Sequence, residues 1–320
     1  MKQRTITAII LILLVLPFII LGGNVLAGGV IFISLFCTYE LLMVRRVSLT
    51  EKKRYPIFVI ILLIACSYAL IFGIASFKDS NIFDTKYIWS EGIMSEIDLS
   101  TFWIAALLGS LLATSVFVKE FELSDAFYLF TMTILITLGL QSFLYIRSLP
   151  RLPEFALVSD STSELAGFFT CLYVILVTCM TDTGGLIGGL VAKKVLAKKG
   201  KQTHLLIPRV SPKKTVEGFV VATIFGTLTG SLVYGLLCCE FEVPLPAYVY
   251  IPLSLLLSLT AQLGDLIFSC VKRFFGIKDF GHILPGHGGV LDRIDSLLLN
   301  SIILGTFFYV FVQSAGFFIG

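Results

Sequence analysis

Residues 269–295 read SCVKRFFGIKDFGHILPGHGGVLDRID, and they stand between two apolar stretches long enough to be membrane-spanning helices. The string gathers Lys272, Arg273, Lys278, Asp279, Asp292, Arg293 and Asp295 with His282, His287 and five glycines, in a chain that is otherwise 57% hydrophobic and only 14% charged. A charged residue at the centre of a membrane helix costs roughly 2.5–3.5 kcal/mol, so such a cluster marks function unless it is merely a solvated loop. A solvated loop obeying the positive-inside rule accounts for the lysines and arginines alone. It does not account for the ordered mixture of acids, bases and glycines.

Working outward, the 320 residues have a mean hydropathy of +0.95 and are dominated by apolar runs near 20 residues, the length that crosses about 30 Å of hydrocarbon as helix. The expected fold class is an all-α polytopic integral membrane protein with about nine transmembrane helices, at about 5–22, 25–44, 57–77, 101–118, 126–146, 164–190, 215–238, 247–271 and 294–317. Residues 1–22 resemble a signal peptide in their basic start and apolar run. The run is long and no A-x-A site follows, so it reads as an uncleaved first span. With the amino terminus inside, Lys2 and Arg4, the stretch Arg45–Arg54, Lys119, the stretch Lys193–Lys214 and the stretch Lys272–Arg293 carry 20 of the 24 Lys and Arg. That bias predicts a cytoplasmic amino terminus, and it places every candidate chemical group on the cytoplasmic side.

Two regions follow: a scaffold of about five spans over 1–160, and a chemistry-bearing region of about four spans with cytoplasmic loops over 161–320. Within the scaffold, Glu40 near the end of the second span reads as a snorkelling or paired carboxylate. The acidic 78–100 loop reads as an outside loop. The seven cysteines lie in or at the ends of apolar runs with no CxxC pair, and read as small core residues. No basic, aromatic-interleaved soluble region exists, so no nucleic-acid partner is expected. No internal repeat or inverted pair of interrupted helices is evident, which argues against a transporter.

Around the string, spacing carries chemistry. Gln262, Asp265, Ser269, Lys272 and Arg273 share one face of the eighth span, and Asp292, Ser296 and Asn300 repeat every four residues on the ninth. Two such stripes are expected to face a cavity, each headed by a carboxylate at the same membrane side. Asp265 and Asp292 are therefore the candidate ligands of a hard cation, because Mg²⁺ takes oxygen donors, usually one or two carboxylates plus substrate phosphates. The connecting glycines, Gly288 and Gly289 among them, permit close backbone approach to a phosphate chain, although no Walker sequence is present. His282 and His287, five apart, are weak evidence for zinc; His287 beside the glycine pair is the better functional candidate. Upstream, Asp182 in TCMTDTGGLIGG is an intramembrane acid, and Gly185 and Gly189 share its side of the helix in what reads as a packing stripe. Ser211-Pro212 before an apolar run reads as an N-cap with proline at the first helical position. Free helix amides, Lys213 and Lys214 would then converge on an anion. Gly218, Ala222, Gly226 and Gly230 read as a close-packing ridge, within or between chains.

The 269–295 string resembles the signature of the phosphatidate cytidylyltransferases (CDP-diacylglycerol synthases), S-x-apolar-K-R-x4-K-D-x-small-x2-apolar-P-x-H-G-G-apolar-x-D-R-apolar-D. Each fixed position is met from Ser269 to Asp295. The family's S-P-K-K-T-W-E-G motif is matched by Ser211, Pro212, Lys213, Lys214, Thr215, Glu217 and Gly218, with Val216 in place of tryptophan. Its D-x-G-A-Y motif is matched at Asp182 and Gly184, with Leu186 where tyrosine is common. The resemblance covers roughly 165–300.

What the resemblance implies is attack by the phosphate of phosphatidic acid on the α-phosphorus of CTP, giving CDP-diacylglycerol and pyrophosphate. The nucleophile is already an anion, so positioning and charge neutralisation would supply most of the catalysis. On this reading Asp265 and Asp292 hold Mg²⁺, alone or with a second cation, and Asp182 belongs to the same network. Lys272, Arg273, Lys278, Asp279, Arg293 and Asp295 are the catalytic group. Ser211, Lys213, Lys214, Thr215, Asp182, Ser269, His287, Gly288 and Gly289 bind substrate. Partners are CTP, phosphatidic acid and membrane lipid, with a homodimer left open by the 218–230 small-residue ridge, and the expected location is a bacterial cell membrane with the site facing the cytoplasm. Two alternatives are a CTP-dependent lipid or polyprenol kinase and a transporter of an anionic lipid or metabolite. The product, or its absence, separates them.

Overall fold

The computed structural model describes residues 13–47, 55–73, 99–148, 167–241, 245–284 and 288–319. The start of the expected first span, most of the basic 45–54 and acidic 78–100 loops, and His287 lie outside the described residues.

A first helical segment, α1 (13–21), is followed by α2 (Gly23–Val47), α3 (Ile57–Gly73), α4 (Leu99–Phe117), α5 (Leu123–Ser148) and α6 (Phe168–Lys198). Two short strands, β1 (Leu205–Ile207) and β2 (Ser211–Thr215), form an antiparallel hairpin. Next comes α7 (Val216–Val233), which runs through one π turn at Tyr234–Cys238 into the short α8 (Cys239–Phe241). Last come α9 (Ala247–Phe274) and α10 (Leu291–Ile319). Among the described residues six helices are long and apolar enough to cross a membrane: α2, α5, α6, α7 with its π turn, α9 and α10. The apolar parts of α3 and α4 are shorter, Ile57–Ile71 and Thr101–Phe117. The chain is thus an all-α membrane protein, with one small hairpin among the described residues.

The expected helix start at Ser211 is corrected by that hairpin. Residues 211–215 are extended and pair with 205–207, the cap of α7 is Thr215, and its hydroxyl accepts from the Gly218 amide at 3.1 Å. Pro212 disfavours helical geometry in the residue before it, so Ser211 stays extended. A Thr N-cap serves α7 as well as Ser would. The converging amides expected at Ser211–Thr215 therefore do not form there. A second difference is length: α6 continues to Lys198, eight residues past its expected end, carrying Lys193, Lys194 and Lys198 out on an exposed helical end.

Close packing unites the second half. Most of α6 lies against α7, α9 sits between α7 and α10, and α10 in turn rests on α5 of the amino-terminal helices. The α7 ridge of Gly218, Ala222, Gly226 and Gly230 is buried within the chain. A Cβ on Gly218 would lie 2.9 Å from the Gly185 carbonyl oxygen and one on Gly188 2.5 Å from Val221 Cβ, so α6 and α7 approach to backbone contact. Gly226 faces the side chains of Thr181 and Ser258, whose hydroxyls are 3.0 Å apart. Overpacking of this kind costs typically ~1–3 kcal/mol, so Gly226→Val should lower the thermal midpoint of the detergent-solubilised protein. Gly109→Ala in α4, where an added Cβ meets nothing within 4 Å, should leave it unchanged. Equal midpoints for the two variants would remove the ridge from the packing.

The deeper polar residues of the two stripes are interhelical links rather than cavity walls. Gln262 donates to Thr223 Oγ1 at 2.9 Å, while Asn300 donates to Thr178 Oγ1 at 2.9 Å and accepts from Thr260 Oγ1 at 2.6 Å. In hydrocarbon an amide must find such a partner within the bundle, each link being worth about 0.6 kcal/mol on average.

Candidate active site

The chemistry collects at one end of the bundle, where α2, α6 and α9 end and α7 and α10 begin. α9 stops there in a Schellman turn: Ile277 N donates to Lys272 O at 2.9 Å, Gly276 N donates to Arg273 O at 3.1 Å, and Gly276 has φ +66°. Only glycine takes that φ cheaply, and the turn leaves Lys272 and Arg273 at the negative end of the helix dipole.

Two lysine–aspartate pairs form the centre. Lys272 Nζ is 2.7 Å from Asp292 Oδ1, both side chains buried, and it also lies 5.4 Å from the Phe280 ring centroid. Asp292 Oδ2 accepts from the amides of Phe280 (2.9 Å) and Gly289 (3.0 Å), so both of its oxygens are engaged. Lys214 Nζ, delivered by β2, is 2.6 Å from Asp265 Oδ2 on α9, and Ser269 Oγ donates to Asp265 Oδ1 at 3.2 Å. This second pair is about one third exposed, with side-chain exposures of 29% and 32%, and is therefore open to exchange with a ligand.

Asp182 and Asp295 complete the charge cluster. The charge of Asp182 interacts with those of Asp265, Lys214 and Arg293, and the charge of Asp295 with those of Asp265, Lys272 and Asp182. Asp295 is buried and its Oδ1 accepts from Ser296 N at 2.7 Å. Lys213, Lys278 and Arg293 are exposed, while Asp279 is half-buried with its Cβ beside Gly288. Arg273 is spent on carbonyls, donating to Val210 O at 3.2 Å and Ile277 O at 3.1 Å, and so ties the hairpin to the loop after α9. Thr215 is occupied as the α7 cap, and Ser211 sits half-buried at the start of β2.

Among the described residues no three His, Cys, Asp or Glu side chains stand close enough together to hold a metal by themselves. The donor set nevertheless fits a hard cation. Asp265, with Asp182 and Asp295 in its field, offers carboxylate oxygens to an ion that draws its remaining ligands from water and phosphate.

One participant was not legible as such in the sequence. Glu40 of α2, fully buried, accepts from Val290 N and Leu291 N, both at 2.8 Å, at the start of α10. The signal available was a lone acid in an apolar helix, and its partner lies 250 residues away.

Across the chain, residues 2–314 match the model of the cytidylyltransferase family. The chain belongs to that family. It is 32% identical over 300 residues to the phosphatidate cytidylyltransferase of Staphylococcus haemolyticus, covering 93% of this chain and 95% of the relative. Identity to the Staphylococcus aureus protein of the same name is 29% over 316 residues (93% and 95%), and to that of Staphylococcus epidermidis 30% over 317 residues (96% and 100%). The cytidylyltransferase match extends over α2–α5 as well as the 165–300 region that carries the motifs, which accords with Glu40 reaching the site from α2.

Proposed function

We propose that the chain transfers the cytidylyl group of CTP to phosphatidic acid, forming CDP-diacylglycerol and pyrophosphate. The observation that carries this reading is the pairing of Lys214 with Asp265 and Lys272 with Asp292 at one end of a membrane bundle. Family membership and near full-length relatives named for that activity support it.

A phosphate oxygen of phosphatidic acid forms a bond to the α-phosphorus of CTP. The bond from that phosphorus to the bridging oxygen breaks, and pyrophosphate leaves with the electron pair. No proton need be removed, so the residues act by position and charge. Asp265 and Asp292 would hold Mg²⁺, with Asp182 and Asp295 adding negative field; when bound, the cation supplies Lewis-acid neutralisation of phosphate charge. Lys214 and Lys272, now neutralising the two carboxylates, would turn to phosphate oxygens, and the exposed Lys213, Lys278 and Arg293 would receive the triphosphate and the lipid phosphate. Lipid substrate would approach from the bilayer and CTP from the cytoplasm of a bacterial cell.

Sidedness is supported by the fold, since Arg45, Lys214 and Lys272, all assigned to one side by charge counting, share one end of the bundle with Glu40. Arg45 pairs with Asp125 at the start of α5, and Tyr55 Oη donates to the same carboxylate at 3.3 Å. Burial pushes the Tyr55 phenol up, so it remains a donor.

Purified protein incubated with CTP labelled at the α-phosphate, Mg²⁺ and phosphatidic acid should place label in the lipid extract and release pyrophosphate. A phosphorylated alcohol or no lipid product defeats the proposal. Cysteines introduced at Lys213 or Lys278 should react in cells only when the reagent reaches the cytoplasm; labelling from outside reverses the orientation.

A further inference from the structure

The cytidylyltransferase signature loop is held from outside its own half of the chain. Glu40 presents one oxygen to Val290 N and the other to Leu291 N, while Asp292, one residue further, takes Phe280 N and Gly289 N. Two carboxylates thus take four amides, those of Phe280, Gly289, Val290 and Leu291, and one of the two is a proposed ligand. The glycines fit this arrangement. A Cβ on Gly281 would lie 2.6 Å from Glu40 Oε1 and one on Gly289 2.6 Å from Oε2, although neither residue has a left-handed φ. These two glycines are thereby required by the Glu40 carboxylate, not by backbone conformation. A buried carboxylate at the positive end of α10 is favoured by the helix dipole and by charge-assisted hydrogen bonds.

We infer that Glu40 is a positioning residue for the reaction: it fixes the amino-terminal turn of α10 and the glycine loop, and so aims Asp292 and its partner Lys272. The inference uses the reaction proposed above as one readout and a second readout that does not depend on it. Glu40→Gln keeps shape but turns an NH₂ group toward an amide donor. Amide exchange over residues 280–295 of the solubilised protein should then rise at least tenfold in the variant, with exchange in α6 and α7 unchanged. Unchanged exchange in 280–295 overturns the clamp whether or not the enzyme is active.

For function, kcat at saturating Mg²⁺ should fall at least tenfold per folded molecule while KM for CTP moves less than threefold. Gly289→Ala alone should do the same. The Glu40→Ala/Gly289→Ala pair should be no worse than either single change, because the clash exists only with the carboxylate present. Wild-type kcat in folded Glu40→Gln, or additive losses in the pair, overturns the positioning role. A wild-type protein without cytidylyl transfer would instead count against the proposed function, leaving amide exchange to judge the clamp.

Discussion

Asp265→Asn should reduce cytidylyl transfer at least a hundredfold at saturating Mg²⁺, a loss of ~2.7 kcal/mol or more, with expression and membrane insertion intact. The asparagine keeps the size and the hydrogen bond from Ser269, but it removes the charge that a hard cation needs and that Lys214 neutralises. The pair is partly exposed, and exposed ion pairs contribute only ~0–1 kcal/mol to stability, so the thermal midpoint should barely move. Activity and stability are thereby separated in one variant. Lys214→Gln, with its partner left in place, should raise KM for CTP about tenfold, equivalent to ~1.4 kcal/mol. Retention of more than about a tenth of wild-type turnover by Asp265→Asn, a cost under ~1.4 kcal/mol, would rule it out as a principal ligand.

The Lys272–Asp292 pair should behave differently because it is buried. Asp292→Asn leaves the Lys272 ammonium without its counter-charge, and breaking a buried pair in this way costs ~3–5 kcal/mol. The variant should therefore lose both turnover and several degrees of thermal midpoint. Replacing both members, Lys272→Met with Asp292→Asn, removes the orphaned charge, so the midpoint should return most of the way to wild type, since neutral replacements of buried pairs are often tolerated. Activity should not return. A double variant as unstable as Asp292→Asn alone would mean that Asp292 stabilises through the Phe280 and Gly289 amides rather than through Lys272. A double variant with wild-type turnover would remove the pair from the reaction.

The contrast between the two aspartates separates what could be read along the chain from what could not. Their place at facing helix ends followed from period: Asp265 and Lys272 lie on one helical face, and a glycine-bearing loop returns the chain to Asp292. Their environments did not follow, because the lysine nearest each carboxylate and its depth depend on packing. Lys214 reaches Asp265 only because residues 205–215 form a hairpin, and the short LLI run of β1 has no period long enough to announce a strand. The same failure moved the α7 cap from Ser211 to Thr215. Glu40 is the extreme case, since its two acceptor bonds go to amides 250 and 251 residues away.

The sequence by itself determined that the chain is an all-α membrane protein, that acids and bases mingle in the string joining α9 and α10, and that its motifs resemble those of cytidylyltransferases. Each rests on local quantities: apolar run length, helical spacing and the order of residues. Only the tertiary structure decided that Gln262 and Asn300 serve as links between helices, that Arg273 is tied to backbone carbonyls, and that the Val290 and Leu291 amides donate to a carboxylate from α2. Those outcomes depend on which buried donor meets which acceptor across the bundle. In hydrocarbon such a group finds a partner only within the protein, and that partner is chosen by packing in three dimensions rather than by position along the chain.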